Sequence, residues 1–134
     1  MALMHVRMVL YRPFIHYISR SEIKSRADGK CRAYAAACVD VGRSIIGNAR
    51  EMEEHDVLNG PYWFSIYTMF FATISLVFYT WENAQVCGGL QTLKDAEDGR
   101  DILVRLGLGN MAAARCSATL AVSAETPSPV YYTC

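Results

Sequence analysis

A long stretch without charge is the feature that most constrains how this chain can fold, since no charged side chain occurs from Val57 to Trp81. Residues 62 to 81 read YWFSIYTMFFATISLVFYTW. About twenty apolar residues in one helix can cross a bilayer, and tryptophans near both ends suit the membrane interface. A helix in the core of a soluble domain can have the same length and composition. The stretch therefore leaves two classes of protein open.

The flanks of this stretch favour the buried helix. They are acidic on the N-terminal side and carry Glu82 on the other, and the nearest basic residues are Arg50 and Lys94. A membrane span is normally anchored by positive charge at its cytoplasmic end. Steps of three and four residues also place a stripe of small or mildly polar side chains on one face, which predicts close packing against another helix. The stripe consists of Ser65, Thr68, Ala72, Ser75 and Tyr79.

We therefore expect a long apolar helix from Pro61 to Val86, buried on nearly all sides. Pro61 suits the first helical position, and the glycines at 88 and 89 suit its end. Its aromatic side chains, Trp63 and Phe71 among them, are then core residues. A single-pass membrane protein with a span near residues 61–81 is the alternative.

The N-terminal region predicts a helix that a proline interrupts. Leu3, Val6, Leu10 and Phe14 recur at helical spacing. Pro13 lacks the N–H group and clashes with the preceding turn, so it should end or kink the helix near Arg12. Tyr11 and Arg12 would then form a polar clasp, with the guanidinium bonding carbonyl groups that the proline frees. Alternatively, these residues only mark the end of the helix and have no further role.

The next helix carries the cleanest periodic pattern of the chain. Its apolar positions step by four and three residues, which predicts a narrow seam along about seven helical turns. Asp28 is a candidate N-cap, and an acidic run from Glu51 to Asp56 opposes the helix dipole, so we expect fraying there. The seam consists of Cys31, Ala35, Cys38, Gly42, Ile45, Ala49 and Met52.

Two further helices follow, which makes the expected fold all-α with about five helices. Thr92 and Asp95 resemble a capping box at the start of the fourth helix, and glycines at 107 and 109 suit its end. Asn110 is a candidate cap for a fifth helix, from Met111 to about Ala124. The expected organisation is a helical-bundle domain over residues 1–122 with one long apolar helix, followed by an unstructured tail over 123–134.

Charge and motif content argue against nucleic-acid binding and catalysis by this chain. Lys+Arg and Asp+Glu both number 13, so the net charge is zero and no basic footprint for DNA is present. The five cysteines contain no pair at C-x-x-C spacing, and reduced core thiols are expected. No HExxH motif or nucleophile elbow occurs, and three scattered histidines make a poor metal site. We therefore predict no catalytic, metal-binding or DNA-binding residue and no cofactor.

Several segments, taken in order, resemble the fungal-specific transcription factor domain, also called the middle homology region of fungal binuclear zinc-cluster regulators. These segments are MVLYRPF, KCRAYAAACVDVGRSII, NGPYWFSIYTMFFATISLVFY and DAEDGRDILVRLGLGNMAAARC. The resemblance spans residues 1 to about 120. The structural or regulatory candidates within it are Tyr11, Arg12, Pro13, Phe14, Trp63, Phe71 and Arg100.

The resemblance implies a nuclear, non-enzymatic role in regulating transcription by RNA polymerase II. In that family the domain restrains or permits activation, through intramolecular contacts, dimerisation or, in some members, a small apolar effector. Family members carry a basic zinc cluster of six cysteines near the N-terminus, and this sequence has no such cluster. Zinc and DNA contacts are therefore expected only in a missing N-terminal part, and none is assigned to a residue here.

The resemblance also implies that the chain is the C-terminal part of a larger domain. Its expected partners are the missing N-terminal part of that domain and a homodimer partner or a co-regulator protein, with no direct contact to nucleic acid and no membrane. The seam from Cys31 to Met52 and the helix from Pro61 to Val86 would be left partly bare. We therefore expect the chain alone to be helical but to self-associate.

Overall fold

The computed structural model describes residues 1–19, 29–58, 63–82 and 89–125. These residues form five helices and, within the described ranges, no strand, which confirms the all-α class. The helices are α1 (Ala2–Ser19), α2 (Gly29–Glu54), α3 (Trp63–Glu82), α4 (Gly89–Gly107) and α5 (Met111–Glu125). The predicted Asp28 cap, the predicted ends of the long helix at 61 and 86, and residues 126–134 of the predicted tail lie outside the described residues. Residues 123–125, which were predicted to be unstructured, belong to α5.

The core lies where α2, α3 and α4 meet. α2 packs against α1, α3 and α4, while α5 covers α3 and α4 from the other side. Ile45 and Ile46 of α2, Met69 and Leu76 of α3, and Leu103 of α4 are almost completely buried there. One hydrophobic cluster therefore holds all the helices together.

The predicted seam on α2 is confirmed as its buried face. Ala35, Cys38, Ile45 and Ala49 are buried, and a Cβ atom on Gly42 would lie 3.2 Å from Cδ2 of Leu76. Small side chains let α3 approach α2 closely at this crossing, because a larger residue would meet the neighbouring helix. The expectation that this seam is left partly bare is wrong from Ala35 to Ala49, where helices of the same chain cover it, whereas Cys31 and Met52 at its ends are only half-buried.

The burial of α3 is one-sided, which corrects the expectation of burial on nearly all sides. The stripe of small residues faces inward: Ser65, Thr68, Ala72 and Ser75 are buried. The bulky aromatic side chains of α3 are only half-buried or exposed, and Trp63 is 64% exposed. These small side chains permit a shorter distance between helix axes, the aliphatic side chains of Ile66, Met69 and Leu76 fill the core beside them, and the aromatic rings cover the rim of the contact.

The membrane alternative rests on length and composition alone. The segment Trp63–Trp81 is long and apolar enough to cross a bilayer, and 44% of it is buried against the other helices. A single helix of this kind is weak evidence for a span, because the core helix of a soluble domain meets the same criteria.

α1 does not end near Arg12, which excludes one of the two outcomes predicted from Pro13, an end or a kink. The helix continues through Pro13 to Ser19. Pro13 is exposed, and so is Val9, whose carbonyl loses its helical donor to the proline. Since both residues are exposed, water can replace the lost donor. Burial of Met8 before the proline and of Ile15 after it holds both halves of α1 on the core.

The acidic end of α2, where fraying was expected, is closed by a Schellman motif. The N–H of Val57 donates to the carbonyl of Met52 at 2.9 Å, and the N–H of Asp56 donates to the carbonyl of Glu53 at 3.0 Å. Asp56 has a φ of 57°, which places it in the left-handed region where glycine is usual. Specific hydrogen bonds thus offset the unfavourable charge at this helix end.

Of the two remaining capping predictions, the one at the start of α4 is wrong and the one at the start of α5 is confirmed. α4 begins at Gly89, so Thr92 lies inside its first turns and is buried, and the predicted capping box at Thr92 is wrong. The predicted Asn110 cap is confirmed. Its Oδ1 accepts hydrogen bonds from the N–H groups of Ala112 at 2.8 Å and Ala113 at 3.3 Å.

Candidate functional site

An aromatic cluster joins α1 to the beginning of α2 and contains two of the candidate residues. The ring of Tyr11 stacks on that of Tyr34, with centroids 5.7 Å apart and planes inclined by 10°. The ring of Phe14 lies 4.9 Å from the same tyrosine. Such pairs contribute about 0.5–1.5 kcal/mol beyond their buried area. Tyr11 and Phe14 therefore fix α1 against α2.

Arg12 points to a different neighbour, because the next position on a helix lies about 100° around its axis. Its guanidinium carbon lies 5.2 Å from the centre of the Phe71 ring on α3. This cation–π contact was not foreseen from the sequence. Pro13 is exposed. The structure therefore brings Arg12 and Phe71 together and leaves Pro13 outside the contact.

A small pocket lies beside this contact, between α1 and α3, and we call it the Arg12 pocket. Its volume is about 140 Å³, below the roughly 300–1,000 Å³ of pockets for drug-sized ligands. The hydroxyl of Ser75 in its wall donates to the carbonyl of Phe71 at 2.7 Å, so its oxygen remains available only as an acceptor. The pocket is lined by Arg12, Ile15, Ile74, Ser75 and Phe78.

The buried cysteines lie in apolar surroundings. Cys38 donates its thiol to the carbonyl of Met8 at an Sγ–O distance of 3.9 Å. Burial raises the pKa of Cys38 to about 11, and the charge of Arg12 offsets only part of this. Burial also raises the pKa of Cys116. Both thiols are therefore neutral near pH 7, as expected for core residues. Within the described ranges, no group of three or more His, Cys, Asp or Glu side chains could hold a metal.

The two remaining candidates lie away from the Arg12 pocket contacts. Trp63 begins α3, where its ring touches those of Phe64 and Tyr67 edge-on. Arg100 is exposed on α4 and pairs with its neighbour Asp101 at 3.1 Å. The structure therefore does not assemble the candidates into one site.

Ion pairs between α2 and α4 were missed by sequence reasoning. Arg105 forms two hydrogen bonds with Glu53, each 2.7 Å long. They lower the pKa of Glu53 and raise that of Arg105. Two further pairs, Arg43 with Asp95 and Arg50 with Asp98, bridge the same helices. The partners are about 50 residues apart in sequence, beyond the reach of local helix patterns, so no sequence signal could have paired them.

The solvent-facing side of α1 presents an apolar strip that we call the outer α1 face. Leu3, Val6, Val9 and Leu10 lie on it and are each more than half exposed. α1 contains no acidic residue, and Arg7 lies exposed at the edge of the strip. A contiguous apolar strip with a basic edge is typical of a surface that packs against another protein segment.

Comparison with known proteins finds relatives among yeast regulators, two of which are described here by their identity and coverage. The chain is 39% identical over 121 residues to "Activator of stress genes 1" of Saccharomyces cerevisiae, a match that covers 86% of this chain and 12% of that protein. It is 39% identical over 79 residues to "Activator of stress genes protein 1" of Candida albicans, covering 59% and 8% respectively. No family model and no solved structure matches the chain.

The chain therefore spans only about an eighth or less of the length of these relatives. The longer of the two matches includes most of the residues of this chain. At this identity and length the two sequences are homologous, and the chain aligns with one segment of the yeast protein "Activator of stress genes 1".

Proposed function

We propose that this chain is a non-enzymatic regulatory segment of a fungal transcription regulator that acts on RNA polymerase II transcription in the nucleus. The observation that carries the proposal is the 39% identity over 121 residues to a yeast activator of stress genes. The order of the helical segments, which resembles the middle homology region of fungal zinc-cluster regulators, supports the same role. The chain would supply contacts within the regulator.

We assign DNA contact and zinc to other parts of such a regulator. The net charge of zero gives no electrostatic attraction to the DNA backbone. The described cysteines also do not suit a zinc cluster. Cys38 and Cys116 are buried in the core, and among the described residues no group of three or more His, Cys, Asp or Glu side chains could hold a metal.

The outer α1 face is the surface through which we expect the segment to meet the rest of the regulator. Its exposed leucines and valines would be covered by a preceding segment of the same regulator. The yeast relative has room for such a segment, because the match covers only 12% of its length. The covering segment should be apolar with an acidic residue near Arg7, since α1 has no acid of its own. In the isolated chain a second copy can take its place, and self-association through α1 is then expected.

Replacement of the homologous segment in the yeast activator tests the proposed function. The segment of "Activator of stress genes 1" would be exchanged for this chain, and transcripts of stress genes would be measured under stress. We expect the exchange to preserve induction. A matched exchange carrying Gly99→Val should abolish induction, because a side chain at position 99 of α4 meets Thr73 of α3 and Ile46 of α2.

Two outcomes would contradict the proposal. One is loss of induction with the unaltered chain, although the chimaera accumulates to a normal level. The other is equal induction by the unaltered and the Gly99→Val chimaeras, which would mean that the folded segment does not contribute to regulation.

A further inference from the structure

The side of α3 opposite its buried stripe is apolar and uncharged, and we call it the outer α3 face. Its residues follow one another at steps of four and three, so they form one line along the helix. Trp63, Tyr67 and Trp81 are each at least 40% exposed, and the members between them are half-buried. The face consists of Trp63, Tyr67, Phe70, Ile74, Val77 and Trp81.

The exposed area of this face is large enough to bind another segment. An aromatic side chain can bury about 150–250 Å², so the exposed parts of the three outer rings together offer roughly 300 Å². Apolar patches of this size are often binding surfaces. α3 has no charged residue before Glu82, so a charged side chain placed against the face would lose water without gaining a partner on α3. The face therefore favours an uncharged, apolar segment.

The direction of α5 brings the end of this helix towards the end of α3. A Cβ atom on Gly107 at the end of α4 would lie 3.1 Å from Cα of Ala114, so α5 folds back along α4. α4 folds back along α3, since only residues 83–88 connect the two helices and Gly99 in the middle of α4 meets Thr73 in the middle of α3. α5 therefore runs in the same direction as α3.

The chain itself supplies an uncharged, apolar segment directly after α5. Residues 126–134 read TPSPVYYTC and contain no charged side chain. The two prolines do not suit a helix, and proline-rich segments bind aromatic surfaces in an extended conformation. At about 3.1 Å per residue these residues span about 28 Å. The outer α3 face is about 27 Å long from Trp63 to Trp81, so the segment matches the face in composition, position and length.

We propose that residues 126–134 bind along the outer α3 face as an extended chain, with Val130, Tyr131 and Tyr132 against its aromatic rings. The inference goes beyond the proposed role in transcription and does not depend on it. The segment would compete for this face with any other apolar segment, including α3 of a second copy of the chain. Local sequence patterns do not reveal such a contact, because the two surfaces are distant in sequence.

Fluorine NMR of the full 134-residue chain, labelled with 5-fluorotryptophan, tests the contact. The two tryptophans give one signal each, assigned with Trp63→Phe and Trp81→Phe. We expect the double variant Val130→Ser with Tyr131→Ser to shift the Trp81 signal and to increase its solvent isotope shift, because the ring loses its cover. Val122→Ser is the matched control, since Val122 is exposed on α5, and it should change neither signal.

Proteolysis tests the same contact from the side of the segment. Chymotrypsin cleaves after tyrosine, and mass spectrometry reports the rate of cleavage after Tyr131 and Tyr132. We expect Trp81→Ser to raise this rate by about tenfold or more, because the segment loses one large ring of its binding surface. Leu90→Ser is the control, since Leu90 is exposed on α4, and it should leave the rate unchanged. Circular dichroism checks the fold of each variant.

The proposal is overturned if the substitutions at positions 130 and 131 leave both tryptophan signals unchanged. Equal cleavage rates in the wild-type chain and Trp81→Ser also overturn it. Binding within one chain does not depend on protein concentration, so a solvent isotope shift of Trp81 that rises on dilution would mean that a second copy covers the face instead. If Trp81→Ser does not fold, the substitutions at 130 and 131 decide the question, because they lie outside the five helices.

Discussion

Substitution of Gly99 should destabilise the fold even though alanine is the better helix former. Gly99 lies inside α4, where replacing glycine by alanine gains about 1 kcal/mol in an exposed helix. Here the added Cβ would meet Oγ1 of Thr73 and lie 2.9 Å from Cδ1 of Ile46. The isoleucine tip can move, whereas Thr73 is 1% exposed and β-branched, which restricts its χ1 rotation.

The magnitude follows from two opposing terms. Overpacking of a close helix contact costs about 1–3 kcal/mol, and the helix propensity of alanine offsets about 1 kcal/mol of it. We expect Gly99→Ala to lower the free energy of unfolding by up to about 2 kcal/mol. Gly47 is a matched control, because it is an exposed glycine inside α2 with no atom within 4 Å of a Cβ. Gly47→Ala should raise the free energy of unfolding by about 0.5–1 kcal/mol.

Urea denaturation followed by helical circular dichroism measures both changes as shifts of the midpoint at constant slope. The double variant with Thr73→Ala should recover part of the loss, because it removes the hydroxyl that the new Cβ meets, and Oγ1 of Thr73 has no hydrogen-bond partner among the described residues. The reasoning is refuted if Gly99→Ala stabilises the chain as much as Gly47→Ala does, or if the double-variant cycle shows no coupling between the two positions.

Further predictions concern a helix end, an ion pair and the thiols. Asp56→Gly should raise the free energy of unfolding by about 1 kcal/mol, because glycine adopts the positive φ of this position more readily, and a decrease in the denaturation midpoint would refute this. The lowered pKa of Glu53 means that its pair with Arg105 stabilises the fold above pH 4.5 and that this contribution is lost as the pH falls through the folded-state pKa. Glu53→Gln should therefore reduce stability at pH 7 by no more than about 1 kcal/mol and flatten its acid dependence, and an unchanged acid dependence would contradict the assignment. Thiol labelling at pH 8, read by mass spectrometry, should modify the half-exposed Cys31 before Cys38, whose pKa is about 11; the opposite order would show that α1 does not cover Cys38.

The features that sequence reasoning found are those set by short-range periodicity. The seam of α2 and the inward stripe of α3 both repeat at helical spacing, and each proved to be the buried face of its helix. The Asn110 cap was also found, because a cap depends on the residues immediately after it. Local rules therefore predicted which face of each of these helices is buried.

The errors arose where tertiary packing overrides a local rule. Pro13 does not end α1, since it faces solvent while Met8 and Ile15 bind both halves of the helix to the core. Trp63 is exposed although its segment is apolar, because small and aliphatic side chains form the buried face of α3. The contact of Arg12 with Phe71 joins residues on different helices, and no helical period relates them.

The central claim is that this segment regulates transcription through the outer α1 face, and one comparison in the yeast chimaera tests it most directly. Leu10→Gln introduces a polar side chain on that face without loss of helix propensity. Leu108→Gln is the control, since Leu108 is 92% exposed in the turn between α4 and α5. We predict that the induction of stress-gene transcripts changes with Leu10→Gln and remains unchanged with Leu108→Gln, at equal protein levels. Identical induction in the two variants would contradict the claim.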